Sequence, residues 1–407
     1  MYGLAQVPVT ERTMLEKDEA LKPANMVTGR LGGRYVGRNR KWQGIPSLTR
    51  TRGGRLYVCF YSGGEGEGAE NYVLLKKSDD DGKTWSEPVL AIDPAGNVRA
   101  FDPCLWTAPD GRVFLFWAQS YGGFDGRAGC WYATCEAPDV RRPEWSAPSR
   151  IGDGVMLNKP TVLHTGEWLL PVSLWKAIPS EYNPSRPNRL ANVYLSSDQG
   201  RHFRYLSGVD MPDRFYDEHM LVEKQDGTLW MLLRLKTGIG EAFSPDGGKT
   251  WREVRKSGIW GPNARFFIRR LRSGRCSWST MHRRKVGAHP AEEGTALPHF
   301  SSEDDGKTWS KPLILDCRED VSYPDGVERE DGLIYIIYDR SRFEQKEILM
   351  AKFREKDVLA QQMVSVMGNC KSWWIRRVNS YGREQRDSII LHRNQSGQRG
   401  RHLSVLF

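Results

Sequence analysis

The chain is 407 residues long and carries 60 Lys and Arg against 50 Asp and Glu, a formal net charge of +10. Eight Lys and Arg against two acids between 361 and 407 place +6 of that excess in the final stretch, so the remainder is only mildly basic and nucleic acid is not an expected partner. No run of 18 apolar residues is present to span a bilayer, which leaves no expected membrane partner, and 41 Gly with 15 Trp and 15 Tyr suit many short strands joined by tight turns.

Residues 1–41 form an N-terminal extension ahead of the first regular pattern. Their start, MYGLAQVPVTERTM, lacks a basic segment followed by an apolar core. As written, the expected location is therefore cytoplasmic, and secreted or periplasmic if a signal has been removed. Asn25 to Val36 is expected to supply the outer strand that closes the last repeat, because closure removes an exposed sheet edge.

From Ile45 the chain repeats. Six segments set apolar strands around a Gly turn: Ile45 to Ser62, Phe101 to Ser120, Asn158 to Trp175, Asp217 to Arg234, Asn263 to Thr280 and Ser322 to Asp339. Their turn glycines, Gly54, Gly111, Gly166, Gly227, Gly274 and Gly332, recur at intervals of 47 to 61 residues. A second motif, S-x-D-x-G-x-T-W, runs in step with the first. It is complete at Ser78 to Trp85, Ser244 to Trp251 and Ser302 to Trp309, degenerate at Ser196 to Phe203, and survives in the second repeat only as Glu144-Trp145-Ser146. In such a unit the Asp side chain bonds the amides of its own turn, Gly supplies a positive φ, and the Trp plugs the space between neighbouring units. Two hairpins per unit at this period predict an all-β chain, a six-bladed β-propeller over residues 42–360. Each blade buries its faces on its neighbours, so the repeats make one domain.

Between the two hairpins of the first blade lies an acidic, Gly-rich loop, Gly63 to Asn71, in which Glu67 and Glu70 are candidates for a catalytic acid. From Arg275 to His299 the alternation collapses, a pattern that a degenerate sequence or an altered reading frame would give. A short helical segment ends near Ala360, and residues 361–407 read as a basic, disordered C-terminal tail. The seven cysteines show no C-x-x-C pair and read mostly as buried thiols, while the eight histidines show no paired ligand spacing. No metal or cofactor is expected.

The repeats and Asp boxes from Trp42 to Leu359 resemble the sialidase (neuraminidase) superfamily of six-bladed propellers with Asp-box, or BNR, repeats. The resemblance implies a Tyr nucleophile paired with a Glu, a carboxylic acid as proton donor, and three arginines that clamp a substrate carboxylate. A phenol suits that task, because a carboxylate beside the anomeric carbon repels a carboxylate nucleophile. Tyr323, before P-D-G at the start of the last inner strand, takes the nucleophile's place; Glu218 takes that of its partner, and Arg234 that of one clamp arginine. The acid falls to Glu67 or Glu70. The other two arginines are missing: the entry to the first blade reads Trp42-Gln43-Gly44-Ile45-Pro46 where the family has R-I-P, and Thr295 to Phe300 offers none.

Because the inner strands all begin at one end of the ring, Gln43, Asp102, Asn158, Lys159, Asp217 and Asp325, with Asn263 and Arg265, are expected to converge on the same pocket as substrate-binding residues, with Trp42 and Trp106 offering faces to a sugar. The expected function is a sialidase-like exo-glycoside hydrolase that removes a terminal, acidic sugar from a glycan. The alternatives are a non-catalytic carbohydrate-binding propeller and a polysaccharide lyase acting on a uronate.

Overall fold

A computed structural model of the chain describes residues 18–124, 127, 129–176, 188–285, 293–365 and 375–378. Within them lie six antiparallel sheets, met in the order in which the six repeats occur. The first blade runs outward through Gln43–Arg50, Leu56–Ser62, Tyr72–Ser78 and Leu90–Asp93, and the second through Val98–Thr107, Val113–Tyr121, Gly129–Cys135 and Ser149–Asp153. The third (Thr161–Val162 to Arg204–Val209) and the fourth (Met220–Glu223 to Arg252–Lys256) are likewise four-stranded. All six turn glycines named above have φ between 81° and 99°, the left-handed conformation that joins the two innermost strands of each blade.

Both termini depart from expectation. Asn25–Thr28 does not close the last blade; it pairs outside Leu90–Asp93 as a fifth strand of the first, with Met26 opposite Ile92. There Met26 and Val27 pack on the apolar clusters on the two sides of that blade, which settles the choice. The last blade, Val321–Glu328, Leu333–Arg340 and Glu347–Arg354, takes its outer strand from Ile375–Arg377, inside the stretch expected to be a tail. Val378 then donates its amide to Ile348 (2.7 Å) and accepts from Lys76 of the first blade (3.0 Å), bridging the sixth blade to the first. Three residues without alternation gave no signal of a strand. Residues 361–365 are also described, while 366–374, 379–407 and 1–17 lie outside the described residues.

The fifth blade, from Phe267–Arg270 through Cys276–Ser279, the long strand Glu293–Ser302 and Leu313–Asp316, carries an extra short strand, His282–Lys285. This is where the alternation was lost, and residues 286–292 lie outside the described residues. His299, at its centre, is buried between the hydroxyls of Ser277 (2.9 Å) and Ser279 (2.5 Å), and burial lowers its pKa to about 3. A single α-helix among the described residues, Glu355–Leu359, follows the last inner hairpin. Cys59, Cys104, Cys130, Cys135 and Cys276 are buried free thiols, and Cys317 is exposed.

The Asp boxes are built alike. In the first, Ser78 Oγ donates to Asp80 (2.8 Å) and accepts from the Gly82 amide (2.8 Å), while Asp80 accepts from the amide and hydroxyl of Thr84 (2.9 and 2.6 Å). The degenerate copy keeps the geometry by using the His202 ring in place of the Thr hydroxyl, 2.6 Å from Asp198. These boxes also dock on the preceding blade: a β-carbon on Gly82 or Gly306 would stand 2.4 to 2.5 Å from Met350 or Trp230 respectively, and one on Gly200 would stand 3.0 Å from Phe114 of the second blade as well as 2.4 Å from Trp168 of its own. Gly306 combines that approach to Trp230 of the fourth blade with φ 81°. Gly306→Ala is therefore expected to destabilise the ring by about 1–3 kcal/mol. Urea unfolding of the variant beside wild type checks this; an unchanged midpoint would refute it.

The centre of the ring is closed by a polar hub rather than an apolar plug. Asp325, from the sixth blade and buried, accepts from Ser47 Oγ (2.6 Å) and the Leu48 amide (2.9 Å) of the first blade and from Lys159 of the third. Arg265 of the fifth blade lies 3.5 Å from Asp325 and donates to Asn158 Oδ1 (2.8 Å), the Pro46 carbonyl (3.2 Å) and the Leu157 carbonyl (3.1 Å). Ser47 Oγ takes the Leu105 amide of the second blade (2.9 Å), and Asn158 Nδ2 donates to the carbonyls of Glu218 (3.1 Å) and His219 (3.0 Å) in the fourth. One residue from each blade is thus tied to the axis. Lys159 and Arg265 hold the Asp325 carboxyl below the usual carboxylate range against the opposing effect of burial. Because two cations would be left buried without their anion, Asp325→Ala is expected to cost about 3–5 kcal/mol, read as a fall in the denaturation midpoint.

Candidate active site around Tyr323

Three inner strands enter the ring through the same irregularity. The pairing register shifts between Gly44 and Ser47, between Phe101 and Cys104, and between Ser322 and Asp325, and each shift contains a residue at positive φ followed by proline: Ile45 (55°), Asp102 (47°) and Tyr323 (55°). Proline has no amide to give to the ladder, so the bulge forms there and turns the preceding side chain out of the strand's alternation. Residues held in this sparsely populated region cost on the order of 1–3 kcal/mol each and persist only where the surroundings enforce them. In the first and sixth blades the strand recovers its register at Ser47 and Asp325 of the hub, so hub and bulge are two halves of one device.

The bulge presents Tyr323 to the fourth blade. Its hydroxyl donates to Glu218 Oε1 (2.8 Å) and accepts from Arg234 Nη1 (3.0 Å), which also lies 2.8 Å from Glu218 Oε2. Arg234 is aimed by Asn263, whose Oδ1 accepts from its Nε at 2.7 Å, and packs over the Tyr216 ring. Burial, then the charge of Glu218, push the Tyr323 phenol far above its ordinary range, against Arg234 and Arg342. The phenol is accordingly neutral, with an acceptor for its proton and a cation for the charge that would remain.

Asp102 reaches the same space from the second blade. It is buried, and among the described residues no hydrogen bond or ion pair occupies its carboxyl. Burial, followed by the negative charges of Glu67 and Glu218, raises its pKa to about 7, so a large share of it is protonated at neutral pH.

Of the two loop acids, Glu67 lies 3.5 Å from Arg342 with its side chain 46% exposed, and Glu70 is exposed, its carbonyl taken by Arg34. Gln43 is buried, giving its amide side chain to the Lys346 carbonyl and its backbone amide to the Arg342 carbonyl (3.2 Å).

Other expected pocket residues are placed elsewhere. Asn158, Lys159, Arg265 and Asp325 are committed to the hub, where each spends its polar atoms on another blade; they position the site's backbone instead of lining it. Asp217 is buried against Arg214 at 2.5 Å. Burial raises its pKa to about 7 against that cation. Trp42 and Trp106 are buried, Trp42 against Tyr61 and Trp106 between Phe114 and Trp168, so neither offers a sugar face. The rule that inner strands start at one face locates the backbones of all seven but not which way each side chain points.

Arg342 escaped the sequence reading. It sits in the turn Asp339 to Lys346 of the last blade, its guanidinium 4.3 Å above the Tyr323 ring. Nothing in that turn marks it out; its partner Asp339, buried and shared with the Ile45 amide (2.7 Å), is meaningful only in the folded ring.

Residues 54–336 match the family model described as a BNR repeat-like domain. No protein of curated function matches the sequence. Among solved structures, the leech intramolecular trans-sialidase, complexed with 2,7-anhydro-Neu5Ac, superposes with a TM-score of 0.61 at 14% identity over 82% of this chain and 71% of that one. The intramolecular trans-sialidase of Ruminococcus gnavus, in complex with oseltamivir carboxylate, gives 0.60 at 15% over 82% and 98%. A protein of unknown function from Dyadobacter fermentans gives 0.58 at 20% over 79% and 95%. At these identities the likeness is one of fold.

Proposed function

Since the chain belongs to the BNR repeat-like domain family, its fold that of sialidase propellers, we propose that it is a sialidase-like exo-glycoside hydrolase that removes a terminal, acidic sugar from a glycan. The observation that carries this reading is the Tyr323 hydroxyl held between Glu218 (2.8 Å) and Arg234 (3.0 Å).

The Tyr323 oxygen attacks the anomeric carbon as its proton passes to Glu218, and Arg234 stabilises the oxygen as charge develops. The glycosidic bond breaks as Asp102 gives its proton to the departing oxygen. Water, deprotonated by the Asp102 carboxylate, then displaces Tyr323, which regains its proton from Glu218. Asp102 replaces Glu67 and Glu70 as proton donor in this scheme, because it alone of the three is buried and burial raises its pKa to about 7.

The test is a panel of methylumbelliferyl glycosides, including those of sialic and uronic acids, with Tyr323→Phe and Glu218→Gln beside wild type. Turnover lost in both supports the glycosidase; glycan binding without turnover in wild type would favour a binding propeller, and an unsaturated, ultraviolet-absorbing product a lyase.

A further inference from the structure

Beyond the hub, the inner strands of the third, fourth and fifth blades enclose a cavity of about 170 Å³. Tyr323, Glu218 and Asp102 come before the hub along their strands, whereas the cavity wall comes from further on, at Thr161–Val162, Met220–Glu223 and Phe267–Arg270. Lys159 and Asp325 of the hub close its near end, so the hub separates it from the Tyr323 pocket.

The polar side chains of the wall are engaged, with one exception. Thr161 Oγ1 donates to the Leu221 carbonyl (2.7 Å), and Glu223 accepts from the His164 amide (2.8 Å) and meets its ring. Arg270 gives Nε to the Glu223 carbonyl (2.9 Å), Nη1 to the Gly274 carbonyl (2.6 Å) and Nη2 to Asp305. Lys159 gives two of its three N–H donors to Asp325 and Ser47. Arg269 is the exception: among the described residues no hydrogen bond or ion pair occupies its guanidinium.

Strand alternation aims Arg269 away from the partners of Arg270. Phe267 and Arg269 share a face of their strand, and that face looks to the sixth blade, where a β-carbon on Gly326 would stand 3.0 Å from Phe267 Cζ. The residue is half-buried, and burial lowers its pKa against the charges of Asp325 and Glu328. Neither acid is free to pair with it, since Asp325 is held by Lys159 and Arg265 and Glu328 accepts the Arg272 amide (2.8 Å). A guanidinium stays charged, and a charge drawn out of water without a partner is costly.

We propose that this cavity is an anion site in which Arg269 takes a small tetrahedral oxyanion, of the phosphate or sulfate class, through two parallel N–H···O bonds, with the remaining N–H of Lys159 at the near end as a second donor. The guanidinium fork matches an O–P–O or O–S–O edge, and the volume suits an ion of that size. The site is on the far side of the hub from Tyr323 and does not depend on the glycosidase reading.

The full chain in low-salt buffer is titrated calorimetrically with phosphate, sulfate, acetate and chloride, and melted in each. Wild type is expected to bind phosphate or sulfate at one site per chain, more tightly than acetate or chloride, and to melt higher in it, because the ion binds only where three blades converge. Arg269→Gln is expected to bind the same ion roughly 10- to 100-fold more weakly, the range for lost charge-assisted hydrogen bonds, and Arg269→Lys to keep part of the affinity. Both ions also stabilise folded chains by exclusion from the surface; that share persists in Arg269→Gln, and only the excess in wild type belongs to the site.

Equal responses of wild type and Arg269→Gln, or no preference in wild type over acetate and chloride, would overturn the proposal. If the variants do not fold, wild-type crystals grown in selenate, an anomalously scattering analogue of sulfate, locate the ion. A peak between Arg269 and Lys159 is expected; peaks at exposed side chains alone would overturn it. Loss of turnover in Tyr323→Phe has no bearing on either result, so failure of the glycosidase reading is told apart.

Discussion

Tyr323→Phe is expected to lower kcat on any cleavable glycoside by roughly 10³-fold or more, with the melting temperature close to that of wild type. The two halves of this expectation have different causes. The ring stays, packed beneath Arg342 and against the cluster that includes Trp42 and Phe101, so the bulge that presents residue 323 keeps its support. The oxygen goes, and with it the only atom that joins Glu218 Oε1 to Arg234 Nη1; those two already stand within 2.8 Å through Oε2 and close on each other without leaving a buried charge unpaired. Steady-state kinetics together with a thermal melt check the result. A variant that still turns over at a tenth of the wild-type rate or faster would remove the tyrosine from the mechanism.

Asp102→Asn has the next largest expected effect, and its size depends on the leaving group. A proton donor contributes on the order of 10²–10⁴ where the departing oxygen is a poor leaving group, so an oligosaccharide should suffer that loss, while a nitrophenyl glycoside, which departs without help, should suffer much less. The pH profile carries a second signature. The Asp102 carboxyl is raised to about 7, chiefly by burial and then by Glu67 and Glu218. It is protonated below that value and ionised above it, so wild-type kcat/KM on the oligosaccharide should fall as pH rises through about 7 and Asp102→Asn should lack that alkaline limb. The same limb in the variant would place the proton donor elsewhere, with Glu67 the next candidate.

The paired side chains Tyr323 and Glu218 were legible because they are anchored to repeats. Tyr323 and Glu218 stand at the same point of their blades relative to Gly332 and Gly227, and Arg234 ends the hairpin that Glu218 precedes, so counting within the unit brings them to one face. The hub residues were legible as neighbours of that face and not as structural ties, because their partners lie on other blades and, at Ser47 and Asp325, because the bulge at the X-Pro step changes which side chains point to the axis. No one-dimensional alternation shows that change, although the recurrence of Ile45-Pro46, Asp102-Pro103 and Tyr323-Pro324 was a signal of it.

What the amino-acid sequence determined by itself was the number of blades, their inner hairpins and the turn chemistry. Those rest on interactions within about ten residues: a glycine at positive φ, an Asp bonding its own turn, strands that alternate. Only the tertiary structure decided which strand covers each edge, which polar residues are spent holding the axis, and which arginine stands beside Tyr323. Each of those is a competition for the same space between segments as much as 300 residues apart, as Gly44 and Arg342 are, and the winner is set by packing and by the need to pair every buried charge, neither of which a local pattern records.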